Sequence, residues 1–204
     1  LACSRLLSAT LLKGGPSSFT LELPPYRRPQ IGQVIVRSFT DRTLFVLKRA
    51  IAVAAPAGML IWVMANVTVG SLSLLNLCAD FLDPFARLMG LDGVILMAFI
   101  LGFPANEIVI PIIIMAYLAE GSLMEMSSLV QMRQLFIAHG WTWVTAICTM
   151  TFSLMHWPCS TTLLTIKKET GSLKWTFLAA ALPTLLGILC CMVIHFAASL
   201  LFPL

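Results

Sequence analysis

Four side chains stand out from their surroundings. Asn106 and Glu107 lie in Leu101-Gly102-Phe103-Pro104-Ala105-Asn106-Glu107-Ile108-Val109-Ile110-Pro111, inside a long apolar run. His156 and Cys159 lie in Met155-His156-Trp157-Pro158-Cys159-Ser160-Thr161-Thr162, inside another. A carboxylate in hydrocarbon surroundings is expensive enough to count as a functional group until a partner accounts for it. Thiolate and imidazole suit transition metals, whereas the harder alkali and alkaline-earth ions prefer oxygen. The chemistry indicated is cation handling. The plainer alternatives are Glu107 as a buried cap on backbone amides and His156 as a satisfied core histidine.

The elements that position these groups are interrupted helices. Pro104 has no N–H to give to a helix and Pro158 has none either, so each run divides and frees backbone groups that must be satisfied inside protein. The pattern predicts half-helices over Gly93–Gly102 and Glu107–Ala119, with Asn106 as the N-cap of the second and Glu107 in its first turn. There the positive end of the helix dipole favours a negative side chain, with which a cation would share the carboxylate. The other run predicts Thr142–Met155, a break at Pro158, and Ser160–Ile166, with Cys159 to Thr162 at the new N-terminus. Two broken apolar helices point to a midplane substrate or ion site in a transporter.

The bulk numbers agree. Of 204 residues 59% are hydrophobic and only 11% charged, with mean hydropathy +0.93, against about 25% charged in a soluble domain. Residues 50–79, 140–166 and 175–204 carry no charge, and 93–119 carries only Glu107. Each run exceeds the roughly 20 residues needed to cross a bilayer. The fold class is therefore an all-α polytopic membrane protein with discontinuous or re-entrant helices. Six cysteines form no CxxC pair, which argues against a zinc ribbon or a thioredoxin-type site.

Residues 1–49 read as a membrane-flanking segment on the cytosolic side, and 50–204 as the transmembrane domain. Eight of the thirteen basic residues precede the first span, the bias expected of a cytosolic flank. Without aromatic interleaving on a folded surface, this charge is no nucleic-acid signal. Gly14–Ser18 is loop composition, Glu22–Pro29 is proline-rich and extended, and 33–49 is an amphipathic surface helix. The first span runs from Ala50 to about Val67. An interfacial helix starting at Asp83 and Pro84 follows, and 120–139 is a second interfacial or cytosolic stretch with His139 exposed. The last span is Trp175–Phe202, in which Cys190, Cys191 and His195 serve packing. If every apolar run crossed once, Lys167, Lys168 and Lys174 would end outside, against the positive-inside tendency. One re-entrant segment, 93–119 or 140–166, removes the conflict.

Taken in order, five stretches resemble the C-terminal part of the bacterial ferrous iron transport protein B family. They are Glu22-Leu23-Pro24-Pro25-Tyr26-Arg27; Asp41-Arg42-Thr43 with Leu47-Lys48-Arg49-Ala50; Gly102–Pro111; Pro158-Cys159-Ser160-Thr161-Thr162; and Lys168-Glu169-Thr170-Gly171. The resemblance implies a gate-type domain, the second of two gate repeats, in a multi-pass protein of the bacterial inner membrane. It implies Fe²⁺ as transported substrate and control by an N-terminal GTP-binding domain. No G-x-x-x-x-G-K-[ST] phosphate loop occurs here, so GTP would act only through that missing domain and no enzyme activity is assigned. Cys159, Asn106 and Glu107 carry over as candidate iron-path residues, with His156 behind them. The start at Leu1 fits the tail of a longer polypeptide. Implied partners are the lipid bilayer, the G domain and first gate half (or a separate chain supplying them), a small cytosolic regulator and further copies of the chain. Three other readings stand beside this one: a gate-type transporter of a nucleoside or other solute, a non-transporting membrane scaffold or regulatory subunit, and a thiol hydrolase using Cys159 and His156. The last lacks an orienting third group and an oxyanion site.

Overall fold

A computed structural model describes residues 31–37, 43–70, 72–118 and 128–201, with isolated positions 5, 9 and 39. The loop expected at Gly14–Ser18, the extended segment at Glu22–Pro29 and the charges Glu120 and Glu125 lie outside the described residues. Two compact units divide the chain, Leu1–Asp41 and Arg42–Leu204. In the first, α1 spans Ile31–Arg37.

The second unit is almost wholly helical, as an all-α membrane protein requires. Helix α2 (Leu44–Asn66) begins six residues before the expected span and contains Pro56. A small antiparallel hairpin follows, β1 (Thr68–Val69) and β2 (Leu72–Ser73), with Thr68 opposite Ser73. Gly70 turns it with φ +72°, a backbone state glycine enters without strain. Then come α3 (Leu74–Leu88), α4 (Gly93–Leu101), a 3-10 turn (Asn106–Ile108) and α5 (Val109–Leu118). Beyond 119–127 lie α6 (Leu129–Ala138), α7 (Trp143–Met155), α8 (Ser160–Thr170) and α9 (Leu173–Leu201).

Helix α3 corrects the expected start at Asp83 and Pro84. It starts at Leu74, where the Ser73 hydroxyl accepts from the Asn76 amide at 3.2 Å, and Pro84 lies inside it. Its buried face of Leu75, Ala79 and Ala86 runs past the proline, so packing outweighs the one lost ladder bond. Asp83 serves the corner instead, pairing with Arg87 and accepting from the Gly93 amide at 3.0 Å.

Among the described residues only α9 is long and apolar enough to cross a bilayer alone. Two further spans arise if bent pairs are counted as one each: α3 with α4, and α6 with the broken rod Trp143–Thr170, both turned by 109°. The sharp corners thus fall at 89–92 and 139–142, ahead of the two proline breaks. Little of α9 is covered, 11% of its most apolar stretch. Apolar side chains such as Phe177, Leu185 and Phe196 stand outward, as on a lipid-facing surface.

The core lies where α3, α4, α5 and α7 meet. Ile95, Ala98, Phe99, Ile112, Ile113 and Phe152 are all at most 1% exposed. Closest approach is at Gly93, where an added Cβ would stand 2.0 Å from the Ala79 carbonyl oxygen. Helix α7 packs on α9 through Met155 against Gly187. There Cys148 and Cys191, both 0% exposed, point their thiols at each other's backbone carbonyls. Cys191 is thus the packing residue the sequence indicates.

Both helix breaks form where the prolines require. The first occupies 102–105, between α4 and the 3-10 turn, and the second 156–159, between α7 and α8. Gly102 is needed because Val109 folds back on it: a Cβ there would meet Val109 Cγ2 at 2.5 Å and the Ala98 carbonyl oxygen at 2.9 Å. The breaks touch. The Ser160 amide, in the first turn of α8, donates to the Phe103 carbonyl at 3.0 Å.

Two outcomes follow. Gly93→Ala is expected to destabilise the protein by about 1–3 kcal/mol through overpacking, seen as a lower melting midpoint in detergent. Gly58→Ala, with nothing within 4 Å of the new methyl, leaves that midpoint unchanged or raises it. Ser160→Ala keeps the junction's N–H, whereas Ser160→Pro removes it and sets the ring Cδ against the Phe103 carbonyl. The proline variant should melt below the alanine variant by ~1 kcal/mol or more, one net hydrogen bond and the displaced carbonyl.

Candidate functional site at the two helix breaks

On one side of the junction, Ala105 with φ −153° and ψ 118° takes the capping place. Asn106 is therefore one residue inside the helical path, and its side chain makes no cap bond, a correction to its expected role as N-cap. The reason is the tight turn itself: Ala105 donates back to Gly102 at 3.0 Å and Ile108 to Ala105 at 3.2 Å. That leaves the cap position extended and puts Asn106 in the 3-10 turn. Glu107 sits in the first turn as expected. Both side chains are exposed, and the carboxylate has no hydrogen-bond partner among the described residues. A buried cap on backbone amides is therefore not what Glu107 is.

On the other side, Cys159 is the N-cap residue of α8 and half-buried. Its Sγ lies 3.1 Å from both the Thr161 and the Thr162 hydroxyls. The sulfur is thus held among oxygens, a mixed soft and hard environment. Ser160 carries the junction bond on its amide, yet among the described residues its buried Oγ has no partner, and neither does the buried Trp157 Nε1.

His156 is 7% exposed and caps α7. Its Nδ1 lies 2.9 Å from the Ser153 carbonyl oxygen and 3.1 Å from that of Phe152. Only a protonated Nδ1 can serve those two acceptors, so Nε2 keeps the one lone pair. The ring also packs against Phe99 at 5.0 Å and Trp157 at 5.7 Å, with Phe99 set edge-on to Phe152 at 4.9 Å. This is the satisfied core histidine, buttressing the second break from behind.

Beside the first break lies a cavity of about 310 Å³, lined by Asn106, Thr149, Met150 and Ser153 among others. Thr149 and Ser153 escape a search for chemistry by residue type, since hydroxyls in apolar helices commonly bond the preceding turn, as Thr149 does to the Thr145 carbonyl at 2.8 Å. Their i, i+4 spacing is the signal that places them on one face. Among the described residues no three His, Cys, Asp or Glu converge as a metal cage. The Ser160–Phe103 bond joins the break that carries Asn106 and Glu107 to the break that carries Cys159, without closing a metal site.

Comparison with known proteins places these features. The model of the Gate family, described as nucleoside recognition, matches residues 47–173, and the model for the ferrous iron transport protein B C terminus matches residues 1–41. The Fe(2+) transporter FeoB of Methanocaldococcus jannaschii is 29% identical over 97% of this chain and 30% of its own length. That of Staphylococcus aureus (strain COL) is 29% identical over 88% of the chain and 27% of its own length. The Synechocystis protein is 31% identical over 81% of the chain and 26% of its own length. The chain therefore spans less than a third of these relatives. No solved structure matches. With the Gate model covering well over half of the residues, the chain belongs to the Gate family, and its full extent is similar to the C-terminal part of the Fe(2+) transporter FeoB proteins.

Proposed function

We propose that this chain is the C-terminal transmembrane portion of a G-domain-coupled transporter that carries Fe²⁺ into the cell, and that the cation passes the junction of the two breaks. One observation carries the proposal: the Ser160–Phe103 hydrogen bond joins the break bearing Asn106 and Glu107 to the break bearing Cys159. Fe²⁺ is intermediate between the hard and soft cations, and a thiolate beside carboxylate, amide and hydroxyl oxygens suits it. An open set of ligands also suits passage, since a conducting site must bind well enough to admit an ion and weakly enough to release it. Cys159 is the central ligand in this scheme, with Glu107 supplying charge and Asn106 a carbonyl oxygen. His156 supports the break and ranks behind them.

In this reading residues 1–49 flank the membrane on the cytosolic side and 50–204 form the gate-type domain of a multi-pass protein in the inner membrane. Nucleotide control comes from a G domain outside this chain, and the chain itself carries no enzymatic step. The first gate half, or a separate chain in its place, supplies the facing wall of the path. A small cytosolic regulator and self-association remain the further partners of this scheme.

A nucleoside cargo is the second reading, favoured by the description of the Gate family. Proteoliposomes of the assembled transporter separate the two through competition between Fe²⁺ and a nucleoside for uptake. Cys159→Ser and Glu107→Ala in the assembled transporter are each expected to reduce Fe²⁺ uptake by about tenfold, the factor for ~1.4 kcal/mol of lost binding. Both variants should keep wild-type membrane levels and melting. Wild-type uptake by both would remove these residues from the path.

A further inference from the structure

A second, larger cavity of about 650 Å³ lies away from the breaks. Three chain ends meet around it: Arg87 and Gly90 from the α3–α4 corner, Thr142 and Trp143 from the start of α7, and His195 and Ser199 from late α9. Leu91, Val144 and Ala198 give it mainly apolar walls. Gly90, at φ +71°, brings the corner so close that a Cβ there would stand 3.0 Å from His195 Nδ1.

Its depth can be read along α9. Twenty-one residues of helix, about 31 Å at 1.5 Å each, separate Lys174 from His195. That is about the thickness of the hydrocarbon layer. With Lys174 at one headgroup level, His195 and the cavity reach the other. Trp143, 55% exposed at the rim, is the residue type that settles there.

We propose that this cavity binds an anionic phospholipid from the leaflet opposite the Lys167–Lys174 loop. Arg87 is the headgroup contact. Asp83 engages only its Nε, so the planar guanidinium is held in place while its two terminal nitrogens stay open among the described residues. That fork fits two phosphate oxygens. Thr142 and Ser199 line the same cavity, but the Ser199 hydroxyl already donates to the Phe196 carbonyl at 2.8 Å, which leaves the headgroup to Arg87. The apolar walls take the first part of an acyl chain. A zwitterionic headgroup offers the same phosphate but sets an ammonium beside Arg87, so the site prefers the anionic lipid.

Native mass spectrometry of the full-length transporter, extracted from bilayers of phosphatidylglycerol and phosphatidylcholine, tests this. Wild type should keep phosphatidylglycerol in preference. Arg87→Gln should lower its retention by about tenfold, within what one charge-assisted bidentate contact supports, while Arg87→Lys loses less. Ser199→Trp, which fills the cavity from its rim and leaves the Asp83–Arg87 pair in place, should release the same lipid. Equal phosphatidylglycerol retention by wild type, Arg87→Gln and Ser199→Trp would overturn the proposal, and would point to another helix of the transporter as the occupant. Displacement of the lipid by inorganic phosphate would also overturn it, in favour of a free-anion site.

Discussion

A backbone amide or carbonyl left unpaired in an apolar surround is strongly unfavourable, and every broken helix creates several. In this protein one hydrogen bond meets that constraint at two places together. Helix α8 starts with unpaired N–H groups, and the turn after α4 presents a carbonyl that no helix uses. Ser160 and Phe103 satisfy each other. Neither break is then an isolated defect. Each depends on the other's geometry, so displacing one half-helix exposes a polar group in both. The two breaks are thereby held together through main-chain atoms.

Both ends of this arrangement are fastened. Behind the second break, the aromatic rings of Phe99, Phe152 and Trp157 enclose His156, whose Nδ1 closes the last turn of α7. At the far end of the first broken pair, Asp92 caps α4 through the Ile95 amide at 2.6 Å and accepts from the Tyr117 hydroxyl. That hydroxyl in turn accepts from Trp141 Nε1 at 2.8 Å, while His139 stacks on the Tyr117 ring at 4.2 Å. The chain Asp92–Tyr117–Trp141 ties the start of α4 to the end of α5 and to the corner before α7. Rigid supports at both ends leave the junction as the place where polar groups remain uncommitted. Among the described residues the Ser160 hydroxyl and the Trp157 indole of the second break have no partner, and Asn106 and Glu107 of the first are exposed.

Much of this was legible in the chain. Charge-free runs and prolines located both breaks to within a residue or two, because a missing N–H acts locally whatever the tertiary fold. Glu107 in the first turn and Cys159 at the head of α8 follow from the same local logic. Asn106 as a cap did not hold: the residue type suits the position, yet the turn from Gly102 to Ala105 set the register and handed the cap to alanine. The start of α3 was misread for the opposite reason, since Asp-Pro is a frequent helix opening and only packing against α4 explains why the helix runs through it. Invisible to any one-dimensional reading was the meeting of the breaks. It joins residues 57 positions apart through backbone atoms, which every residue carries and no pattern marks. The 109° corners are equally tertiary, held by Asp83 reaching the Gly93 amide and by Trp141 Nε1 donating to the Tyr117 hydroxyl.

The junction itself can be observed without perturbing it. Carbonyl-¹³C phenylalanine and ¹⁵N serine, introduced into the transporter in lipid with other pairs edited out, allow a dipolar recoupling measurement between the Phe103 carbonyl carbon and the Ser160 nitrogen. A hydrogen-bonded pair predicts a coupling matching a separation of about 4 Å. No detectable coupling, with both sites resolved and ordered, would mean that the two breaks stand apart and would contradict the account.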